Sequence, residues 1–175
     1  KNIFALQDEI IKKIINELVG AGAVLSKDIN KKIASTSTSD ISIYECINFA
    51  RGAVTPSLNP KAIECLEKSI KKDPNYADAW IWLADRKRAQ HSSFSMTNEF
   101  KYMLEEASKE IDRGLILDPE HAFGYSTKLQ IEFYKNNWQE MFNVAEKAYS
   151  LAGERPHLLG KIGYSLAYGG QCEKE

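Results

Sequence analysis

Apolar and small residues recur in two segments of this chain in the same order. The first copy contains Ala62, Leu66, Ser69, Ile70, Asp73, Pro74, Ala77 and Trp80, and the second contains Ala107, Ile111, Gly114, Leu115, Asp118, Pro119, Ala122 and Tyr125. The offset between Asp73 and Asp118 is 45 residues. Spacings of three and four predict helices with one apolar face, and Asp-Pro ends a helix because the residue before proline avoids helical backbone angles. We therefore predict a repeated pair of helices whose small residues allow close backbone approach.

A weaker third copy follows the second at an offset of 34 residues, and it contains Met141, Ala145, Ala148, Gly153, Pro156 and Leu159. The chain here resembles the tetratricopeptide repeat (TPR) family, whose period is about 34 residues. Residues 80–84 carry the aromatic, leucine and small residues of that family, and residues 136–140 are similar to its inter-helix turn. Lys128 and Gly153 depart from the pattern, since the family prefers leucine and proline there. The resemblance implies an all-α, right-handed helical-hairpin solenoid, with Trp80, Leu83 and Tyr125 pointing into the hairpins.

The predicted organisation has two parts. Residues 1–40 form an N-terminal amphipathic helix, over 3–19, and a linker. Residues 41–175 form repeats at about 41–76, 77–121, 122–155 and, in part, 156–175, and the second has an enlarged inter-helix loop between Gln90 and Phe100. The apolar face of the N-terminal helix is expected to cap the first hairpin, to contact a preceding domain, or to form a homodimer.

A narrower resemblance rests on the string Phe4-Ala5-Leu6-Gln7-Asp8-Glu9-Ile10, a Ser/Thr-rich joint, Tyr44 and Ala50-Arg51-Gly52. This order is similar to the TPR region of bacterial multidomain signalling proteins, including class III adenylate cyclase-like proteins and winged-helix regulators with a TolB-like domain. The resemblance implies a sensory or scaffolding segment of a larger cytoplasmic protein. Catalytic or DNA-binding residues of that group would lie outside these residues.

Composition and charge exclude several functions. The chain is 43% hydrophobic and 27% charged with a net charge of −1, whereas a nucleic-acid footprint needs a basic face. The basic run Arg86-Lys87-Arg88 is expected to be a solvated helix face. No apolar run reaches the roughly 20 residues of a membrane span. The three cysteines, Cys46, Cys65 and Cys172, are expected to be reduced thiols without a disulfide framework.

The sequence shows no recognisable catalytic constellation. His91, His121 and His157 have no Cys or His partner at metal-ligand spacing, and no glycine-rich loop follows a strand. We therefore predict no catalytic residue, no metal and no cofactor, and no enzyme activity in this segment.

The repeat register instead predicts a partner-binding groove along the first helix of each pair. Its residues are Arg51, Asp78, Trp82, Asp85, Phe123, Thr127, Gln130, Tyr134, His157, Lys161, Tyr164 and Tyr168. Such an aromatic groove is typical of a contact surface, although the same rings could simply fill a tightly curved solenoid. Asp78 and Asp85 beside Trp82 favour a positively charged ligand. A carboxylate clamp is not expected, because only Asn48 and Arg51 are suitable residues for one. The six positions that correspond to such a clamp are Ile47, Asn48, Arg51, Ile81, Trp82 and Thr127.

The predicted function is thus protein or peptide recognition, or intramolecular regulation by another domain of the same chain, within a larger bacterial signalling protein. One alternative is an accessory segment of an adenylate cyclase-like enzyme whose catalytic domain lies elsewhere. The other is a structural spacer or dimerisation module.

Overall fold

The computed structural model describes residues 41–53, 55–90 and 97–169, and the regular secondary structure of these ranges is entirely α-helical. The helices are α1 (Ile43–Gly52), α2 (Asn59–Lys72), α3 (Ala77–Arg88), α4 (Asn98–Leu117), α5 (Ala122–Tyr134), α6 (Trp138–Ala152) and α7 (Pro156–Gly169). The all-α prediction is therefore confirmed for these ranges. The described residues divide into two compact units, one up to Ser69 and the other from Ile70. The predicted N-terminal helix, residues 91–96 and Cys172 lie outside the described residues.

The helix boundaries follow local sequence signals. A capping box starts α1, because the Ser42 hydroxyl accepts from Glu45 N at 3.2 Å while the Glu45 carboxylate accepts from Ser42 N at 3.1 Å. Helix α2 ends at Lys72 and α4 ends at Leu117, in each case directly before the Asp-Pro pair. The prediction that Asp-Pro ends these two helices is confirmed.

The first unit contains a disulfide that was not expected from the sequence. Cys46 on α1 and Cys65 on α2 are each 1% exposed, and they are bonded with their Cα atoms 5.8 Å apart. A turn in which Leu58 N donates to Thr55 O reverses the chain between the two helices and brings the cysteines together. The prediction of reduced thiols is therefore wrong for this pair. Since disulfides persist mainly in oxidising compartments, the cysteines no longer support the predicted cytoplasmic location.

In the second unit, helices that follow one another in the chain run antiparallel. The start of α3 lies beside the end of α4, where a side chain on Gly114 would meet Ile81, and the end of α3 reaches Glu110 through Lys87. By the same test α5 is antiparallel to α6, because Tyr125 meets Lys147 and Phe133 meets Trp138. Helix α5 is also antiparallel to α4, because Lys128 pairs with Asp112 and Lys135 with Glu105. The end of α7 lies at the start of α6, where a side chain on Gly169 would meet Met141. Every second helix therefore points in the same direction.

Helices α3, α5 and α7 are the three that share one direction. Asp78 of α3 contacts His121 at the start of α5, and one turn further Trp82 contacts Phe123. Helix α7 packs on both α5 and α6, and its Tyr164 contacts Phe133 near the end of α5. One side of each of these helices is thus available to build a common surface.

Gly114 is the point of closest approach between α3 and α4. A methyl group on Gly114 would lie 2.5 Å from Ile81 Cγ1 and 3.3 Å from both Ile81 N and Trp80 Cβ. The first separation is shorter than real Cβ contacts and the other two are tighter than most, and the Ile81 backbone nitrogen belongs to a packed helix. The prediction that a small residue here allows close backbone approach is confirmed.

We expect Gly114→Ala to lower the free energy of unfolding by about 1 to 3 kcal/mol, because the added methyl forces the helices apart. The gain in helix propensity of up to about 1 kcal/mol only partly offsets this cost. Gly160→Ala is the matched control, since Gly160 is also helical and a methyl group added there would meet no atom within 4 Å. Urea unfolding of both variants is the measurement, and a Gly114 variant as stable as the Gly160 variant would refute the close approach.

One of the two buried clusters of this unit contains Ile81, which was considered above as a carboxylate-clamp position. Ile81 is fully buried, and α4 and α5 both pack against its helix. Leu83 is also fully buried, but Trp80 is only partly buried and its indole nitrogen donates to Pro74 O at 2.9 Å. Helix α3 is covered on two sides, so it needs a wider apolar face than a single hairpin would require.

The departures from the repeat pattern have structural counterparts. Lys128 forms ion pairs with Asp112 at 2.9 Å and Glu140 at 3.6 Å, so a cation joins α4 and α6 where leucine was the family preference. Gly153 follows α6 with a φ of 55°, which glycine adopts without strain. Helix α4 has 20 residues against 15 in α6, so part of the extra length of the second repeat is helical.

Candidate interaction surface

An aromatic pair joins α3 to α5. The rings of Trp82 and Phe123 are stacked, with centroids 4.2 Å apart and planes 23° apart. Both side chains are partly buried, so each retains some solvent contact. Trp82 therefore packs across to the next helix pair and is not enclosed within its own pair.

A second aromatic cluster lies at the C-terminal ends of α5 and α7. Phe133 meets Tyr164 at 5.8 Å between ring centroids, and Tyr164 meets Tyr168 at 4.8 Å. Tyr134 makes an edge contact with Phe100 at 5.9 Å. Tyr164 and Tyr168 are exposed, so this cluster leaves large rings in contact with solvent.

A buried carboxylate connects α3 with α7. Asp85 is 0% exposed, and its oxygens lie 2.5 Å from Arg86 Nη2, 2.8 Å from Arg88 Nη2 and 3.5 Å from Lys161 Nζ. Three cations thus surround one anion. The four groups together carry a net charge of +2, from three positive charges and one negative charge.

The electrostatics of this cluster follow from burial and charge. Burial opposes ionisation of Asp85, but Arg88, Lys161 and Arg86 outweigh it and hold the pKa of the carboxyl far below its usual range. Burial also lowers the pKa of Lys161. Asp85 raises it in part, and Arg88 and Arg86 lower it further. Burial and the neighbouring charges therefore place the pKa of both Asp85 and Lys161 below the usual range of each group.

Each of the three cations also lies over an aromatic ring. Lys161 Nζ is 4.4 Å from the centroid of Phe123. The guanidinium of Arg86 is 5.9 Å from the Trp82 centroid, and that of Arg88 is 5.9 Å from the Tyr134 centroid. Each cation is therefore held between a carboxylate and a ring face, which fixes its position.

We call this set of residues the aromatic-cationic surface. It consists of Trp82, Asp85, Arg86, Arg88, Phe123, Phe133, Tyr134, Lys161, Tyr164 and Tyr168. Seven of these ten residues belong to the groove predicted from the repeat register. The contacts given above form two groups, which are joined by Phe133 and Tyr134 with ring centroids 5.2 Å apart.

The other predicted groove residues have different surroundings. Thr127 and Gln130 are on α5 between Phe123 and Tyr134, and both are buried. Asp78 is partly buried and binds His121 Nε2 at 2.6 Å, while His121 Nδ1 accepts from Gly124 N. His157 is exposed for the most part. The partial loss of its water and the charges of Lys161 and Arg155 lower its pKa. Arg51 is partly buried on α1, in the first unit.

The structure does not support the predicted preference for a positively charged ligand. That preference required Asp78 and Asp85 to present free negative charge beside Trp82. Asp78 is instead paired with His121, and Asp85 is buried and outnumbered by cations. The charged groups that lie over the two rings of the aromatic pair are Arg86 and Lys161.

Arg86 and Arg88 were not predicted to belong to this surface. They were expected on a solvated helix face, but Arg86 is buried and Arg88 is partly buried. Lys87 between them pairs with Glu110 at 2.5 Å, so the whole basic run is bound to acids. The sequence did contain an indication of this ion pair, because Asp85 and Arg88 have the i,i+3 spacing at which opposite charges pair on a helix.

Comparison of the sequence with protein-family models gave no match, and comparison with curated protein sequences gave none either. The TPR resemblance therefore stays a prediction. In the ranges that the structure describes, no three potential metal-ligating side chains cluster, and no helix combines the length and apolar character of a membrane span.

Proposed function

We propose that this chain is a TPR-like solenoid that binds a protein or peptide through the aromatic-cationic surface, without catalysis. The observation that carries the proposal is the stacked Trp82–Phe123 pair with Lys161 over its Phe123 ring, which brings α3, α5 and α7 together on one face. The shared direction of these three helices, each followed or preceded by an antiparallel partner, supports a repeated hairpin arrangement. In such a solenoid the first helices of the pairs line the binding face.

The chemistry of the surface supports recognition of a peptide. Partly buried aromatic rings give large contact area for few rotatable bonds, and such residues are enriched among those that dominate binding energy. The cations are already fixed by Asp85 and the rings, so binding orders few side chains further. The proposed role is recognition or intramolecular regulation in a larger bacterial signalling protein, with an adenylate cyclase-like parent as one version. The parent type and a cytoplasmic location come from the resemblance alone.

A structural spacer is the second candidate. The Asp85–Lys161 ion pair and the Trp82–Phe123 stack both connect successive helix pairs, and contacts of this kind would stiffen a solenoid without any partner. The two candidates differ in what Trp82 does. In a spacer its ring contributes only to stability, whereas in a binding module its exposed part contributes to affinity.

The test uses short peptides selected from a displayed random library and then synthesised. We expect Trp82→Ala to weaken their binding by about 2 kcal/mol, which is roughly 30-fold in Kd. Trp80→Ala is the matched control, because Trp80 is on the same helix and partly buried but its indole is bound to Pro74 O. We expect the Trp80 variant to retain affinity within about threefold. Failure to select any peptide, or equal losses in both variants, would favour the spacer.

A further inference from the structure

The Cys46–Cys65 disulfide joins the start of α1 to the middle of α2. Cys46 follows directly after the capping box of α1, and its amide donates to Ser42 O at 2.9 Å. Cys65 lies midway along α2, which runs from Asn59 to Lys72. The two cysteines are 19 residues apart in the sequence. The bond therefore ties the two helices together covalently across the turn between them.

Helix α1 depends on packing for its stability. It has 10 residues, and isolated helices shorter than about 12 to 15 residues are marginal in water. Besides Cys46, the apolar residues that this helix buries are Ile47, Phe49 and Ala50. A short helix held by a few side chains is the kind of element that opens locally while the rest of a protein stays folded. A covalent tie to α2 therefore acts directly on this opening.

Burial controls access to the bond. Cys46 and Cys65 are each 1% exposed, and thiol–disulfide exchange requires a thiolate to reach one of the two sulfurs. A reductant therefore reaches the bond only when α1 moves away from α2. The bond also makes this opening rarer, because a closed loop restricts the open states of the chain. The oxidised pair thus resists its own reduction.

We propose that the Cys46–Cys65 pair is an oxidation-dependent lock on α1. With the bond formed, α1 stays packed on α2, and with the two thiols reduced, α1 opens more often. The lock lies in the first unit, whereas the proposed peptide binding uses the second, so the lock is tested without any peptide.

The chemistry of release is thiol–disulfide exchange with a dithiol. One thiolate of the dithiol attacks a sulfur of the bond, which forms a mixed disulfide and releases the other cysteine as a thiolate. The second thiol of the reagent then attacks the reagent's sulfur in the mixed disulfide, and the second cysteine leaves. The net change transfers two electrons and two protons to the cysteines and closes a disulfide in the reagent. Glutathione disulfide drives the reverse reaction and is itself reduced to two thiols.

The experiment measures amide hydrogen exchange in the full chain by mass spectrometry. One sample is oxidised with glutathione disulfide, and the other is reduced with dithiothreitol. Peptide mapping of the oxidised sample without reductant identifies the bonded cysteines. We expect the amides of α1 to exchange at least about tenfold faster in the reduced sample. The amides of α6, in the second unit, are the internal control and should exchange equally in both samples.

Two variants locate the effect. The double variant Cys46→Ala with Cys65→Ala removes both sulfurs and keeps small apolar side chains, so its α1 should exchange fast in both samples. Cys172→Ala is the matched control, because it removes the third cysteine of the chain and should leave the response of α1 unchanged. The comparison of the two wild-type samples does not depend on the folding of either variant.

Three results would overturn the lock. The first is equal exchange of α1 in the two wild-type samples, since the bond would then have no effect on opening. The second is faster exchange of α6 together with α1, because the bond would then act on the whole chain. The third is an oxidised sample in which the mapping finds Cys46 and Cys65 unbonded to each other.

Discussion

Replacing Asp85 with asparagine is expected to lower the free energy of unfolding by about 3 to 5 kcal/mol, the cost of removing one partner from a buried ion pair. The carboxylate is fully buried, and Arg86, Arg88 and Lys161 all act on it. Asparagine preserves the shape of the side chain but removes the anion that these three cations share. Urea unfolding of the wild type and the variant measures the difference.

Asp112→Asn is the matched control for this substitution. Asp112 also pairs with a lysine, Lys128, but its side chain is 53% exposed. Exposed ion pairs contribute about 0 to 1 kcal/mol because water and salt screen them. Equal losses of stability in the two variants would contradict the buried position of Asp85.

The same carboxylate predicts a dependence of stability on pH. The pKa of Asp85 is depressed in the folded protein, so its contribution is fully present above the ordinary Asp pKa of about 3.9. The contribution is lost as the pH falls through the lower, folded pKa. The stability difference between the wild type and Asp85→Asn should therefore be constant near neutral pH and narrow below about pH 4. A difference that widens on acidification would contradict the assigned sign.

Replacing Ile81 with alanine is expected to cost about 3 to 4 kcal/mol, within the range for large buried aliphatic residues. Ile81 is 0% exposed. Its side chain fills the space beside Gly114 of α4 and Gly124 of α5. Both neighbours lack a side chain that could move into the resulting cavity, so the cavity stays open.

Ile116→Ala is the control for the Ile81 substitution. Ile116 is also helical, on α4, but it is 70% exposed, so its truncation should change the free energy of unfolding by less than about 0.5 kcal/mol. Denaturation of both variants should therefore give clearly separated midpoints. Overlapping midpoints would show that Ile81 does not fill the junction of α3, α4 and α5.

Several features of this fold could be predicted from the sequence because they depend on neighbouring residues or on the repeat pattern. Asp-Pro ends α2 and α4 since proline restricts the residue before it. Gly114 marks a close approach because it is the small residue of an otherwise apolar helix face. The spacing of Trp82, Phe123 and Lys161 also identified residues that the structure brings together.

Other features could not be predicted because they depend on which helix faces become covered. Helical spacing places Asp85 on the same face as Trp82, but only the packing of α7 on α5 brings Lys161 to its carboxylate. The acidic groups of the predicted groove therefore both have partners, which are three cations for Asp85 and the His121 ring for Asp78. Ile81 is buried for the same reason, since α3 packs on two helices. The Cys46–Cys65 disulfide forms because the turn between α1 and α2 brings the two cysteines together. The spacing of the cysteines in the sequence did not predict this pairing.

The central claim is that the face shared by α3, α5 and α7 binds a peptide. The most direct test follows the indole N–H signals of Trp80, Trp82 and Trp138 by NMR while a peptide selected from the displayed library is titrated. We expect the Trp82 signal to shift in proportion to occupancy, whereas the Trp80 signal, whose N–H is bound to Pro74 O, stays in place. Saturable binding that shifts Trp80 and leaves Trp82 unchanged would contradict the claim.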